Sequence, residues 1–263
     1  MTAATNDILK SLDMTGRGVV VIGAGQGIGA ATCRALRGLG ANLLCVDNDR
    51  ARGEAIAAEV GGAAVLADVT IRAGVEHVFA TADAKFGDSL AGVVDIVGMA
   101  SSRPIGEFDD DAWNWQFDIV LRHAFLAIQI GGEALAKRGG GAMAFVGSIS
   151  GNLSIPGQSA YGTAKAALHH LVECSAHELG PRNVRVNAVA PGFVRTPRLE
   201  RLGKGFWTEF ESRLPLRRAA QPEDIAKGLV FLVSDMSTCM TGTVMALDGG
   251  IAQLANVPPV PLR

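Results

Sequence analysis

Tyrosine is almost missing from this sequence: one occurs among 263 residues, at position 161. An excess of either charge is missing too. The 24 Lys+Arg and 26 Asp+Glu leave a net charge of −2, and no long like-charge run occurs, which excludes a nucleic-acid surface. Long hydrophobic runs are absent; the apolar segments are strand-length, so no membrane-spanning stretch is expected. The opening residues include Asn6, Asp7 and Lys10 and do not form a secretory signal. Cys33, Cys45, Cys174 and Cys239 lack metal-type spacing, so no metal centre is expected, and reduced thiols in a cytoplasmic protein are the default. No repeat, linker or composition break divides the chain, so residues 1–263 are expected to form one domain.

What is present is an alternation of strand-like and helix-like segments from Gly18 to Leu247, which implies an α/β fold: a doubly wound parallel sheet with helices on both faces. The β-branched run Gly18-Val19-Val20-Val21-Ile22 reads as a buried strand. It enters a turn containing Gly23, Gln26, Gly27, Ile28 and Gly29, and a helical stretch follows. Strand, glycine-rich turn and helix aim free backbone N–H groups and a helix N-terminus at a pyrophosphate. The spacing is G-x-x-x-G-x-G, through Gly23, Gly27 and Gly29. A second strand over 41–46 ends in Asp47, roughly 20 residues beyond the glycines, where an acid bonds the ribose hydroxyls of NAD and repels the 2′-phosphate of NADP. Arg50 and Arg52 nearby are residues that a phosphate would recruit instead.

Tyr161 stands four residues before Lys165, a spacing that puts both on one helix face. A free phenol titrates near ~10, and a general base works best near the ambient pH. A neighbouring cation moves a phenol in that direction. Ser148 lies thirteen residues upstream.

With these intervals and this glycine turn, the chain resembles the short-chain dehydrogenase/reductase family. The likeness extends over Asp68-Val69, the run from Asn187 to Thr196, Pro222 to Ala226, and Asp248-Gly249-Gly250. It implies a Rossmann-type fold and an NAD-linked alcohol dehydrogenase or ketone reductase. Tyr161 would be the proton-transfer residue, Ser148 would bond the substrate oxygen, and Lys165 would lower the phenol's pKa and hold the nicotinamide ribose. Asp68 and Val69 would contact the adenine, and Pro191, Gly192, Val194 and Thr196 would flank the nicotinamide. The resemblance also implies a homo-oligomer, tetramer or dimer, built on the helices over 110–137 and 159–179, and the apolar tail over 257–262 is a further candidate for a subunit contact.

Two departures stand out. The family's usual Asn-Asn-Ala-Gly after strand four is Gly98-Met99-Ala100-Ser101 here, which removes side-chain amides that brace neighbouring strands while leaving the small Ala100 backbone beside the cofactor. Val120 takes the place of an asparagine that supports a helix distortion and a proton relay, which puts the relay in question; His123, one turn on, is expected to be a packing or surface residue. The segment around 194–217 is expected to be a substrate lid. Its apolar residues suit a terpenoid, steroid or aromatic alcohol or ketone, or else only pack the lid on itself. Ile149, Ser150, Gln158 and Phe206 are the expected pocket residues. Two other readings remain: an NAD-binding sensor or subunit without turnover, and an NADPH-dependent acyl-thioester reductase.

Overall fold

Strand side chains alternate between faces, and the first strand, β1 (Gly18–Ile22), shows what that demands here. Val19 and Val21 enter one hydrophobic cluster, and Val20 and Ile22 enter another on the opposite face. A strand buried on both faces needs helices on both. The computed structural model describes residues 3–253 and supplies them. Strands β1, β2 (Asn42–Asp47), β3 (Ala63–Leu66), β4 (Leu90–Asp95), β5 (Gly141–Val146), β6 (Val184–Pro191) and β7 (Val244–Leu247) form one parallel sheet in the order β3-β2-β1-β4-β5-β6-β7.

Helix α1 is Ala3–Lys10. Helices α2 (Gly27–Gly38), α3 (Arg50–Val60) and, late in the chain, Pro222–Val233 cover the face of Val19 and Val21. On the other face lie α4 (Arg72–Phe86), the long helical segment that follows β4, and α7 (Ser159–Leu179). The chain leaves β1 toward β2 on one side and returns to β4 on the other. In such a sheet that reversal opens a crevice at the carboxyl ends of the strands.

The helix expected over 110–137 is one segment with a distortion: α5 (Asp110–Phe117), a π-helical turn (Asp118–Arg122) and α6 (His123–Ala136). Contrary to the sequence reading, Asp110–Ala136 is by length and composition apolar enough to cross a membrane. Half of its most apolar window is buried, and Ala124, Leu126, Ala127, Ile128 and Leu135 pack in the core, which accounts for its hydropathy. Cys33 and Cys45 are closer than their spacing suggested, with Sγ atoms 3.8 Å apart between α2 and β2, unbonded. Between β6 and α9 (Pro222–Val233) lies α8 (Gly203–Arg213), whose Trp207 and Phe210 join Leu214 and Ala219 in a separate small core. The tail at 257–262 lies outside the described residues.

The α4 and α6 helices meet at Gly131, where a Cβ would overlap the Phe79 ring. Overpacking of this kind costs about 1–3 kcal/mol. Gly131→Val is expected to lower the urea unfolding free energy by that amount. Gly38→Ala, at a glycine with no heavy atom within 4 Å of the added carbon, should not lower it.

Candidate active site

The crevice begins at the glycine turn. Gly23 and Gly27 hold φ of +80° and +53°, where a side chain is strained. At Gly29 any Cβ would collide with the Gly23 carbonyl, so the third glycine lets α2 start against β1. Extended Gln26 stands at the N-cap position of α2, and Gly27 and Ile28 are the helix's first two residues. This turn lines a cleft of about 530 Å³ that reaches Asp47, Asp68 and Val69 at one end and Thr196 at the other. Asp47 is buried at the end of β2, and Oδ2 accepts from the Gly25 amide at 2.8 Å while Oδ1 accepts from the Asp49 amide at 2.9 Å. Gly25 stands outside the three-glycine pattern yet is required by it, since a Cβ there would lie 2.6 Å from Asp47 Oδ2. Arg52 reaches to 3.5 Å from Asp47 Oδ1. Asp68 is engaged by its own turn, accepting from the Thr70 amide and hydroxyl.

Ser148, Tyr161 and Lys165 come together around a second cavity of about 470 Å³, continuous with the first through Ile28, Gly98, Met99, Thr196 and Arg198. Lys165 is fully buried and donates to the Val146 carbonyl at the end of β5, 2.7 Å away. Burial pushes its ammonium down to about 8, against the pull of the Asp95 carboxylate. The Tyr161 phenol is pushed above its ordinary value by burial, while the Ser148 hydrogen bond and the Arg198 charge work the other way. Arg198 joins Lys165 as a second cation near the phenol. The lysine ammonium is turned to Val146 and lies 5.7 Å from the ring centroid.

His169 stands a further four residues along α7, so the face of Tyr161 and Lys165 carries a third polar residue. Its Nε2 accepts from the Ser148 amide at 3.3 Å, and Nδ1 lies 3.0 Å from Asn152 Oδ1. That pairing requires a neutral ring protonated on Nδ1. Burial, then the Lys165 charge, hold His169 down to about 4, with Glu173 opposing. Ser148 Oγ in turn accepts from the Ser150 amide. The i, i+4, i+8 spacing was the available signal for His169; the histidine fixes the serine loop.

The end of β4 is braced after all. Gln116 of α5, fully buried, donates from Nε2 to the Met99 carbonyl at 2.6 Å and accepts at Oε1 from the Ser101 amide at 2.7 Å. Its amide does for Gly98–Ser102 what the missing asparagines were expected to do. Val120 is buried at the centre of the π-helical turn, so the distortion persists without an amide there. His123 is no surface residue: it is buried, with Nδ1 2.8 Å from Asp95 Oδ2.

Ile149, Ser150 and Gln158 line the second cavity, the latter two joined by a 2.8 Å hydrogen bond. Pro191, Gly192, Val194 and Thr196 line it on the β6 side, and Ala100 lies there rather than along the dinucleotide cleft. Phe206 does not line it. Its ring stacks on Phe210 and meets Phe193 and Trp207 edge-on, which holds it in the lid's own core. Arg198, between the two cavities, is the pocket residue the sequence reading missed.

The family model described as enoyl-(acyl carrier protein) reductase matches residues 23–252. A probable galactose dehydrogenase of Rhizobium meliloti is 35% identical over 252 residues, covering 91% of this chain and 96% of the relative. The L-tagatose-forming galactitol 2-dehydrogenase of Cereibacter sphaeroides is 33% identical over 244 residues, covering 90% and 95%. Among solved structures, a 7α-hydroxysteroid dehydrogenase complexed with NADH and 7-oxo glycochenodeoxycholic acid superposes with a TM-score of 0.87 at 25% identity, covering 95% of this chain and 98% of that one. The chain belongs to the short-chain dehydrogenase/reductase family, a family of oxidoreductases.

Gln116→Leu would leave the Met99 carbonyl and Ser101 amide without their partner. The expected result is a loss of about 1–3 kcal/mol in unfolding free energy and weaker dinucleotide binding, read by urea titration and by calorimetry.

Proposed function

We propose that the protein is an NAD-dependent dehydrogenase/reductase that interconverts a secondary alcohol and its ketone. The observation that carries this reading is that Ser148, Tyr161 and Lys165 line one cavity, which shares wall residues with the dinucleotide cleft. The cleft suits a dinucleotide because its turn keeps glycine where it approaches the opposite wall: at Gly27 even a methyl would press on Thr196. The turn and the α2 N-terminus would hold the pyrophosphate. Asp47 would accept from the adenosine ribose hydroxyls and repel a 2′-phosphate, while Arg52, the nearest cation, is already committed to Asp47 and Asp49. That commitment weighs against the NADPH-linked acyl-thioester reading.

The nicotinamide cofactor, when bound, takes up the hydride in oxidation or gives it in reduction. In oxidation Tyr161, in its phenolate form, would accept the substrate's hydroxyl proton at Oη and pass it on toward solvent. Ser148 Oγ bonds the same oxygen and steadies its charge. Lys165 would bind the nicotinamide ribose and place a cation beside the phenol. Ile149, Ile155, Phe193, Leu199 and Leu202 line the cavity and suit an apolar substrate body.

Trp113, Trp115 and Phe125 are exposed on the α5–α6 segment, at 39%, 40% and 44%. Together with the family resemblance they support a homo-oligomer formed across that segment, with the cytoplasm as the proposed location.

Tyr161→Phe is expected to lower kcat by at least about 100-fold while calorimetry finds NAD binding retained. Turnover close to wild type would remove Tyr161 from the proton-transfer role. Asp47→Ala is expected to cost about 10–100-fold in kcat/KM with NAD and to leave the NADP value unchanged or raised; an unchanged NAD/NADP ratio would contradict the assignment.

A further inference from the structure

The cavity around Tyr161 has an unbalanced charge. Arg198, Arg201 and Lys165 line it, and no aspartate or glutamate does. The lid has carboxylates to offer but spends them elsewhere. Glu200 lies between the two arginines in sequence and pairs with Arg195, as does Glu211, and the Arg195 guanidinium also stacks on Trp207. Among the described residues, Arg198 and Arg201 have no carboxylate partner. Burial, and then the Arg201 charge, hold the Arg198 guanidinium below its ordinary value. Two cationic side chains lining one cavity without a carboxylate partner, together with apolar Leu199 and Leu202, form an incomplete arrangement. A guanidinium completes such an arrangement with a carboxylate or another oxyanion, bound through parallel N–H donors.

We infer that the substrate carries an anionic group at the end of an apolar body, and that Arg198 and Arg201 bind it while Tyr161 and Ser148 hold the reacting oxygen. The inference rests on reading the Tyr161 cavity as the substrate site. It narrows the substrate from apolar alcohols in general to hydroxy acids and keto acids whose carboxylate or equivalent lies apart from the reacting carbon. Arg198 also borders the dinucleotide cleft, so cofactor phosphates are the other source of an anion for it. Arg201 borders the Tyr161 cavity alone, which favours the substrate.

The test uses 3-phenylpropionate and its neutral amide as probes, neither of which can be oxidised at an alcohol carbon. Their binding to the whole protein saturated with NAD is measured by calorimetry in wild type, Arg198→Gln and Arg201→Gln. The carboxylate is expected to bind at least about tenfold more tightly than the amide, with the difference shrinking in high salt and lost in either variant. Equal binding of the two probes by wild type, or a preference that survives in Arg201→Gln, would overturn the inference. So would an unchanged preference accompanied by weaker NAD binding, which would assign the guanidiniums to the cofactor. A parallel assay follows NADH formation from a cyclic hydroxy acid and its methyl ester. Carboxylate binding without oxidation of either compound would remove the dehydrogenase reading and keep the anion site. Oxidation of acid and ester at equal kcat/KM would do the reverse.

Discussion

The hydrogen bond from the buried Lys165 ammonium to the Val146 carbonyl is the contact on which the site depends. A charged group taken out of water is costly unless it is paired, so the lysine holds α7 in one position against the end of β5, with Gly98 of the segment after β4 close enough that a Cβ would lie 3.1 Å from Nζ. Once that point of α7 is fixed, the helix period sets the rest. Tyr161, one turn before, lines the same cavity as Ser148, and His169, one turn after, holds the Ser148 amide. The cost of burial appears in the depressed values of Lys165 and His169.

A similar economy of contacts shapes the dinucleotide cleft. Asp47 both borders the cleft and ties the glycine turn down through Gly25, so the residue argued to select the cofactor also sets the shape of the loop that would cradle it. Gln116 does the same for the segment after β4, reaching from α5 to the Ser101 amide and to the carbonyl of Met99, a residue that lines both cavities. Loop positions are thus fixed by side chains arriving from elsewhere in the fold.

That explains which parts were legible in the sequence. The sheet, the glycine turn and the Ser148, Tyr161 and Lys165 grouping could be read because each rests on local spacing or on strand and helix periodicity. Gln116, Arg198 and the Asp95–His123 pair could not, because their meaning lies in partners that only the folded chain brings near; Asp95 and His123 are 28 positions apart. Phe206 was misplaced for a related reason. Aromatic residues three or four apart on a lid helix read equally well as a substrate wall or as the lid's own core, and only the rings' mutual packing decides. The distortion around Val120 shows a different failure, since the π turn forms without the side chain thought to support it.

The central claim is that the ionisation of the half-buried Tyr161 phenol is set by nearby hydroxyl and cationic groups, and that the bound cofactor completes the set. Because it is the only tyrosine in 263 residues, the tyrosinate absorption of the whole protein reports this one group without a label. A pH titration of the free protein should show the band rising above the ordinary value of 10.0, and above the wild-type midpoint again in Arg198→Gln. Saturation with oxidised NAD should move the wild-type midpoint down toward neutral pH. The same midpoint with and without the cofactor would contradict the account.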